Sequence, residues 1–192
     1  GTPGNVTLGV YNQASGAAVS AAFDNLQVFD MISGVIDDFN VASGSPPPGC
    51  SLGTLAGSGT ASNDAGALHM VGSPAGGSPY ISRNSPTFTI TDGSKLEFRV
   101  DVVNNVIAAD THAALGYTPN SAYLAAIAAY HVASDSIDVY NGKVYNSWWN
   151  GSPAPLPVPP SNIRLLISMT GEGTSCRVDS RVEDLSVGVN DP

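Results

Sequence analysis

A chain of 192 residues and 19.6 kDa has length for one well-filled core or a small sandwich with an appended segment, and not for two full domains. Charged residues make up 12%, and seven Lys and Arg against sixteen Asp and Glu give a net charge of -9; this surface repels phosphate backbones and excludes nucleic acid as a partner. No run approaches the ~18–20 apolar residues of a membrane span. Low charge with abundant Ser, Thr, Asn and Gly points instead to an extracellular or cell-surface location. No signal sequence is visible, and the chain opens on Gly1, as a mature product or an excised piece does.

The first segment, VTLGVYNQASGAAVSAAFDNLQVFD, reads as two strands around a loop at Asn12 to Gly16. It contains FDNLQV (23–28), a phrase that returns as IDDFNV (36–41) and VEDLSV (182–187). In each, the large apolar residues are spaced three then two: Phe23, Leu26, Val28; Ile36, Phe39, Val41; Val182, Leu185, Val187. A regular strand keeps its core residues at even spacing, so the odd step predicts an entering turn or a β-bulge at the acidic position. The acids admit a second use. If their segments were adjacent edge strands, Asp24 with Asp37 or Asp38 would form a hard-cation site for calcium. The twelve-residue calcium loop is absent, and Asp184 reads as a surface or turn acid.

Between 42 and 80 the chain is rich in Gly, Ser and Pro, with loops SPPPG (45–49) and SPAGGSP (73–79) around the short apolar piece ALHMV. LEFRVDV (96–102) alternates strictly, Leu96, Phe98, Val100 and Val102 against Glu97, Arg99 and Asp101, which predicts a half-wet antiparallel strand. Glu97 and Arg99 then share a face as an ion pair. TDGS (91–94) before it suits a tight hairpin, as does Asn141-Gly142 within VYNGKVY (139–145). AYLAAIAAYHVA (122–133) carries a competing helical signal from its alanines, with Leu124 and Ile127 three apart. The strand reading is preferred because its neighbours are strands. SPAPLPVPPS (152–161) has five prolines and predicts an irregular or polyproline-like crossing. In IRLLISM (163–169), Ile163, Leu165, Ile167 and Met169 alternate with Leu166 on the other face, so this strand is expected to be covered on both sides. Many strands joined by Gly and Pro loops predict an all-β fold, a sandwich of two antiparallel sheets.

Catalytic motifs find little support. The three glutamates, Glu97, Glu172 and Glu183, form no evident pair of the kind a glycosidase sets ~5–9 Å apart. His69, His112 and His131 are widely spaced with no HExxH, and each reads as a hydrogen-bonded strand or loop residue rather than a zinc ligand. The nucleophile elbow and phosphate-loop patterns are missing. The best recognition candidate is aromatic: Tyr140, Tyr145, Trp148 and Trp149, with Asn141, Asn146 and Asn150 beside them. Exposed rings on a rigid sheet stack on sugars. Equally, one Trp fills the core and the other caps it. Cys50 and Cys176 either form one bridge across a long loop, worth ~3–5 kcal/mol in the chain-entropy model, or are two buried thiols.

IDDFNV, GALHM, FTITDGSKLEFRVDVV, IRLLISMTGEG and SRVEDLSVGVNDP together resemble the concanavalin A-like, laminin-G-type jelly rolls of large secreted and surface proteins of bacteria. In those modules a DDF-like phrase opens the domain and an FDN-like phrase closes it. The resemblance implies a jelly-roll fold, frequent glycan binding, and a structural calcium near the opening and closing strands, by position at Asp24 and Asp37 or Asp38. Here the closing phrase comes first. Residues 1–30 are therefore expected to be a closing hairpin that is permuted, belongs to a preceding repeat, or is exchanged between subunits, with residues 31–192 as the jelly roll. The functional expectation is a non-catalytic structural or adhesive module that associates with copies of itself or with neighbouring repeats. A carbohydrate-binding module using Trp148 or Trp149 with Tyr145 is the rival.

Overall fold

The described residues of the computed structural model, 3–12, 18–29, 34–37, 39, 49–54, 57–64, 66–74, 76–106, 111–118, 126–131, 136–141, 149–150 and 162–185, form fourteen strands and no helix. In chain order these are β1 (Asn5–Asn12), β2 (Val19–Phe29), β3 (Gly34–Asp37), β4 (Cys50–Thr54), β5 (Gly59–Asp64), β6 (Ala67–Gly72) and β7 (Pro79–Arg83). They continue as β8 (Lys95–Val106), β9 (Thr111–Thr118), β10 (Ala126–His131), β11 (Ser136–Asn141), β12 (Trp149–Asn150), β13 (Ile163–Glu172) and β14 (Ser175–Asp184). No helix among the described residues is long and apolar enough to cross a membrane.

Two antiparallel sheets face each other as a sandwich. The first runs β12-β11-β10-β9-β1-β7-β4; the second runs β14-β13-β8-β2-β6-β5, with β3 also paired to β2. The pleat explains the core. Val6, Leu8 and Val10 of β1 with Ala113, Leu115 and Tyr117 of β9 face inward from the first sheet. They meet Phe23 and Leu26 of β2, Phe98, Val100 and Val102 of β8, and Ile163, Leu165 and Ile167 of β13. The expected alternation in 96–102 and 163–169 is present, and Leu166 is 3% exposed on the outer face, as a strand covered on both sides requires.

The opening strands lie elsewhere than a hairpin would put them. β1 sits in the first sheet between β9 and β7, and β2 in the second between β8 and β6, so the two cross from sheet to sheet instead of pairing with each other. Residues 1–30 thus supply a central strand to each sheet of their own chain. The Asp92-Gly93 turn forms, with Gly93 at φ 72 and Ser94 N–H donating to Thr91 O at 3.0 Å. Its upstream run does not return along β8. Phe88 makes a lone antiparallel bridge to Gly4 instead. The Asn141-Gly142 hairpin is likewise displaced: Val139 of β11 lies opposite Trp149 of β12, where a two-residue turn would have put Val144. Residues 126–131 are strand, as preferred, while the proline-rich crossing 152–161 lies outside the described residues.

One interior choice runs against the core. Asn63 ends an inward row, Asn63–Leu68–Phe23–Val102–Ile163. It is 1% exposed, and neither side-chain Oδ1 nor Nδ2 has a hydrogen-bond partner. An unmet buried amide costs about 1–3 kcal/mol, whereas an apolar group of similar shape escapes that penalty. Asn63→Leu is therefore expected to raise the thermal midpoint, by about 2–12 °C for a chain of this size, as calorimetry would record. A lowered midpoint would mean that a bound water satisfies the amide.

Candidate functional site

The acid-bearing phrase of β2 is a bulge. Between β2 and β8 the register shifts from Asp24/Asp101 to Gln27/Arg99, and Asn25 at the shift has φ 51. Asp24 stabilises that left-handed residue from beside it, its Oδ1 accepting from the Asn25 N–H at 2.7 Å. Asn is among the few non-glycine residues that tolerate such a backbone. A second shift falls between Leu26 and Gln27 where β3 pairs, and Phe39 has φ 53 with its ring 1% exposed in the core. The odd spacing therefore marks bulged backbone in the first two copies. In the third, Glu183 and Asp184 close β14 in regular pairing, and Leu185 N–H donates to Asn162 O at 3.1 Å.

Because Asp24 lies opposite Asp101, Asp101 opposite Arg164, and Arg164 opposite Glu183, one outward row crosses four strands. Like charges facing each other, as Asp24 and Asp101 do, are destabilising unless countered. Arg164 counters them with a two-pronged bond to Asp101, Nε to Oδ1 at 2.6 Å and Nη2 to Oδ2 at 3.0 Å. Asn25 Nδ2 lies 3.4 Å from both Asp24 Oδ2 and Asp101 Oδ2 and bridges the two acids. Glu183 takes Arg181 Nη2 at 2.8 Å and Arg164 Nη1 at 3.9 Å. Asp101 and Glu183 are 8% and 5% exposed. The hydrogen bond to Asp101 raises the Arg164 pKa above its ordinary value, against the opposing effect of burial and with help from the charges of Asp101 and Glu183. One row along, Arg99 Nε donates to Glu97 Oε1 at 2.7 Å and stacks over the Phe29 ring at 4.2 Å. The pair expected from the sequence exists and has an aromatic support besides.

Of the calcium candidates, Asp24 belongs to this row, where the neighbouring carboxylate of Asp101 is already engaged by Arg164. Asp37 lies opposite Leu26 by backbone register, and Asp38 is outside the described residues. Among the described residues no three His, Cys, Asp or Glu side chains gather as a metal group.

The aromatic candidates divide. Tyr145, Asn146 and Trp148 lie outside the described residues. By register Trp149 completes the row Leu52–Ile81–Leu8–Leu115–Ala128–Val139–Trp149, which contains the buried Ile81, Leu8 and Leu115. Tyr140 belongs to the adjacent row of Ile127, Gly116 and Thr7, on the opposite face of the same sheet.

Cys50 and Cys176 are both thiols, so the bridge is not formed in the structure. Cys176 packs at the margin of the core beside Val178. Burial pushes its pKa up, opposed by a backbone hydrogen bond with Thr170 and assisted by the Glu172 charge.

The sheet edges differ in their protection, a contrast that single strands of sequence do not display. β14, SCRVDSRVED, carries Arg177, Asp179, Arg181, Glu183 and Asp184 along the second sheet's edge. β12 is two residues long and β5 ends on Asp64. Charges and brevity are the usual defences of an unpaired edge. β4, CSLGT, has neither a charge nor a proline, and Leu52 at its centre is 36% exposed. Among the described residues nothing pairs with its outer side. Across its inner side, the Tyr80 ring lies where a Cβ at Gly53 would fall, 2.4 Å from Tyr80 Cζ, so a side chain at Gly53 would displace that ring from its place beside β7.

These features define the class, an all-β sandwich of two antiparallel sheets with a salt-bridged outer row. No family model, curated protein or solved structure matches the chain.

Proposed function

We propose that the chain is a non-catalytic structural or adhesive module of the concanavalin A-like kind, working outside the cell or at its surface and associating with copies of itself. The observation that carries this reading is the β4 edge, which among the described residues is uncharged and unpaired on its outer side, in contrast to the charged β14 edge and the two-residue β12. Two β4 strands laid antiparallel satisfy each other's open N–H and C=O groups and bring their Leu52 side chains together. The net charge of -9 makes copies repel one another, so association is expected to strengthen as salt screens that repulsion. Exchange of residues 1–30 between chains would reproduce the β1 and β2 pairings in a neighbour's sandwich and is the second route to assembly.

Light scattering across a concentration series, at low and high salt, tests the proposal. Wild type is expected to self-associate, more strongly at high salt. Leu52→Lys, an exposed change that alters stability by about 0.5 kcal/mol or less, is expected to be monomeric. Persistent dimers in Leu52→Lys would point to exchange of residues 1–30, and a wild-type monomer at the highest concentration overturns self-association altogether.

A further inference from the structure

The register fixes which pole of the sandwich each strand starts from. At one pole β8 starts at Lys95, opposite Thr170 and beside the turn that joins Glu172 of β13 to Ser175 of β14. β1 starts there too. Gly4 bridges to Phe88, whose ring meets Phe98 near the start of β8 at 5.0 Å, and Tyr117, opposite Val6, stacks on the same Phe98. At the other pole β8 runs on past Val102 to Val106; Val102 lies opposite Ile163, and Ile163 opposite Asp184, the last residue of β14. Residues 107–110 join Val106 to Thr111 and reach about 18 Å at most, whereas the 12 residues of β8 extend about 40 Å. Thr111, and Asn12 opposite it, therefore lie toward the Val106 pole. Gly4 and Asp184 stand at opposite poles, and the line between them follows the strands.

We propose that the module carries tension along its strands, entering through β1 and leaving through β14, a function that rests on the structural role proposed above and not on self-association. Force at Gly4 draws β1 out along its own axis. Antiparallel ladder bonds stand perpendicular to the strands, so the bonds from β1 to β9, between Asn5–Thr118 and Asn12–Thr111, are strained together with those to β7 at Thr7, Leu8 and Gly9. β1 is held on both sides, and it cannot slide without uncovering the buried Val6, Leu8 and Val10. Its entry is pinned as well. Gly4 and Phe88 exchange both backbone bonds, at 2.7 and 2.9 Å, and the Tyr117 hydroxyl donates to the same Phe88 O at 2.9 Å. At the exit, β14 pairs with β13 from Ser175–Glu172 to Asp184–Ile163. Force at Asp184 draws it away from the turn, again along the ladder. Had β1 started at the Asp184 pole, the same force would open its pairs one at a time.

Single-molecule force-clamp measurement on the full chain, fused at both ends to reference domains, tests this through the direction of pull. The comparison pulls the chain between its N-terminal fusion and a handle on an azide-bearing residue that replaces the exposed Thr174, in the turn at the Gly4 pole. Urea unfolding of the handle-bearing chain, expected to coincide with wild type, shows that both pulls act on one fold of one stability. Bonds broken in concert add their costs to a single barrier, so at equal load the end-to-end lifetime is expected to be longer by at least about tenfold. End-to-end unfolding is expected in a single step. Equal lifetimes, or a shorter one end to end, overturn the proposal. Early release of the length of β14 alone overturns the exit through that strand. A wild-type monomer in light scattering would leave this result standing, because each measurement is made on one molecule.

Discussion

Arg164→Ala is expected to destabilise the fold by about 3–5 kcal/mol, the usual cost of removing one partner from a buried ion pair. The cost falls mainly on Asp101. Its carboxylate, 8% exposed, would lose both prongs of the guanidinium while still facing Asp24 across the β2–β8 pair. Glu183 suffers less because Arg181 holds it at 2.8 Å. For a chain of this size the loss corresponds to a thermal midpoint lower by about 6–20 °C. Two further variants separate charge from packing. Arg164→Met keeps the aliphatic stem and should remain nearly as damaging, since it leaves the same uncompensated acid. Arg164→Met with Asp101→Leu removes both charges and should recover most of the loss, because a paired ion and an apolar replacement are often equivalent in stability. The raised Arg164 pKa fixes the sign of any pH effect. A cation whose folded pKa is raised contributes fully below its unfolded pKa and is lost only as pH rises through the folded one. Moderate alkali therefore leaves the arginine's part intact. A loss below about 1 kcal/mol for Arg164→Ala, measured by urea unfolding, would mean that solvent screens the row as it does at exposed pairs.

This row shows what a sequence displays and what it conceals. The spacing in FDNLQV and IDDFNV announces a break in strand period, and both copies are bulged in the fold. Period is a local property, carried by residues within reach of one another along the backbone. VEDLSV has the same spacing without a bulge, because Leu185 has already left the ladder at the end of β14. A letter pattern does not distinguish a bulge within a strand from its last residue. The Asp92-Gly93 turn was legible for the same local reason, but whether the runs beside it pair with each other was not. Phe88 reaches Gly4, far back in the chain.

Pairing between distant strands accounts for the other differences. The first two strands look like a hairpin because a loop joins two apolar runs, yet each goes to the middle of a different sheet. That choice is made by long-range packing, in which Val6, Leu8 and Val10 face Phe23 and Leu26 across the core. The Glu183–Arg164–Asp101–Asp24 row is likewise a product of register. Each member, read in its own segment, is an ordinary surface residue. The contrast between β4 and β14 depends on knowing which strands are edges, since uncharged CSLGT would be unremarked in the middle of a sheet.

Phe98→Ala is expected to cost about 3–5 kcal/mol, as truncations of buried aromatics do, and to weaken the seam between the sheets in particular. Phe98 is fully buried on β8. Its ring stacks on Tyr117 of the opposite sheet, with centroids 6.1 Å apart and planes 17° apart, and meets the edge of Phe88 at 5.0 Å and 75°. Tyr117 in turn donates its hydroxyl to Phe88 O at 2.9 Å, and Gly4 lacks a side chain where that ring passes, 2.4 Å from the position a Cβ would take. The three rings thus tie β8, β9 and the bridge from Phe88 to Gly4 into one cluster. Such aromatic pairs contribute about 0.5–1.5 kcal/mol beyond burial, so Phe98→Leu, which restores much of the volume, should still lose about 1–2 kcal/mol. Burial, followed by the neighbouring Cys176 charge, holds the Tyr117 pKa above its ordinary value. Water entering the space left by Phe98→Ala should bring that pKa down, a shift absent in Phe98→Leu and visible in the ultraviolet titration of tyrosine. If Phe98→Ala and Phe98→Leu lose equal stability, volume contributes nothing at this site and the ring geometry alone joins the sheets. If neither loses more than about 1 kcal/mol in urea unfolding, the cluster does not join them, and the cohesion between the sheets must come from the aliphatic rows of β1, β2 and β13.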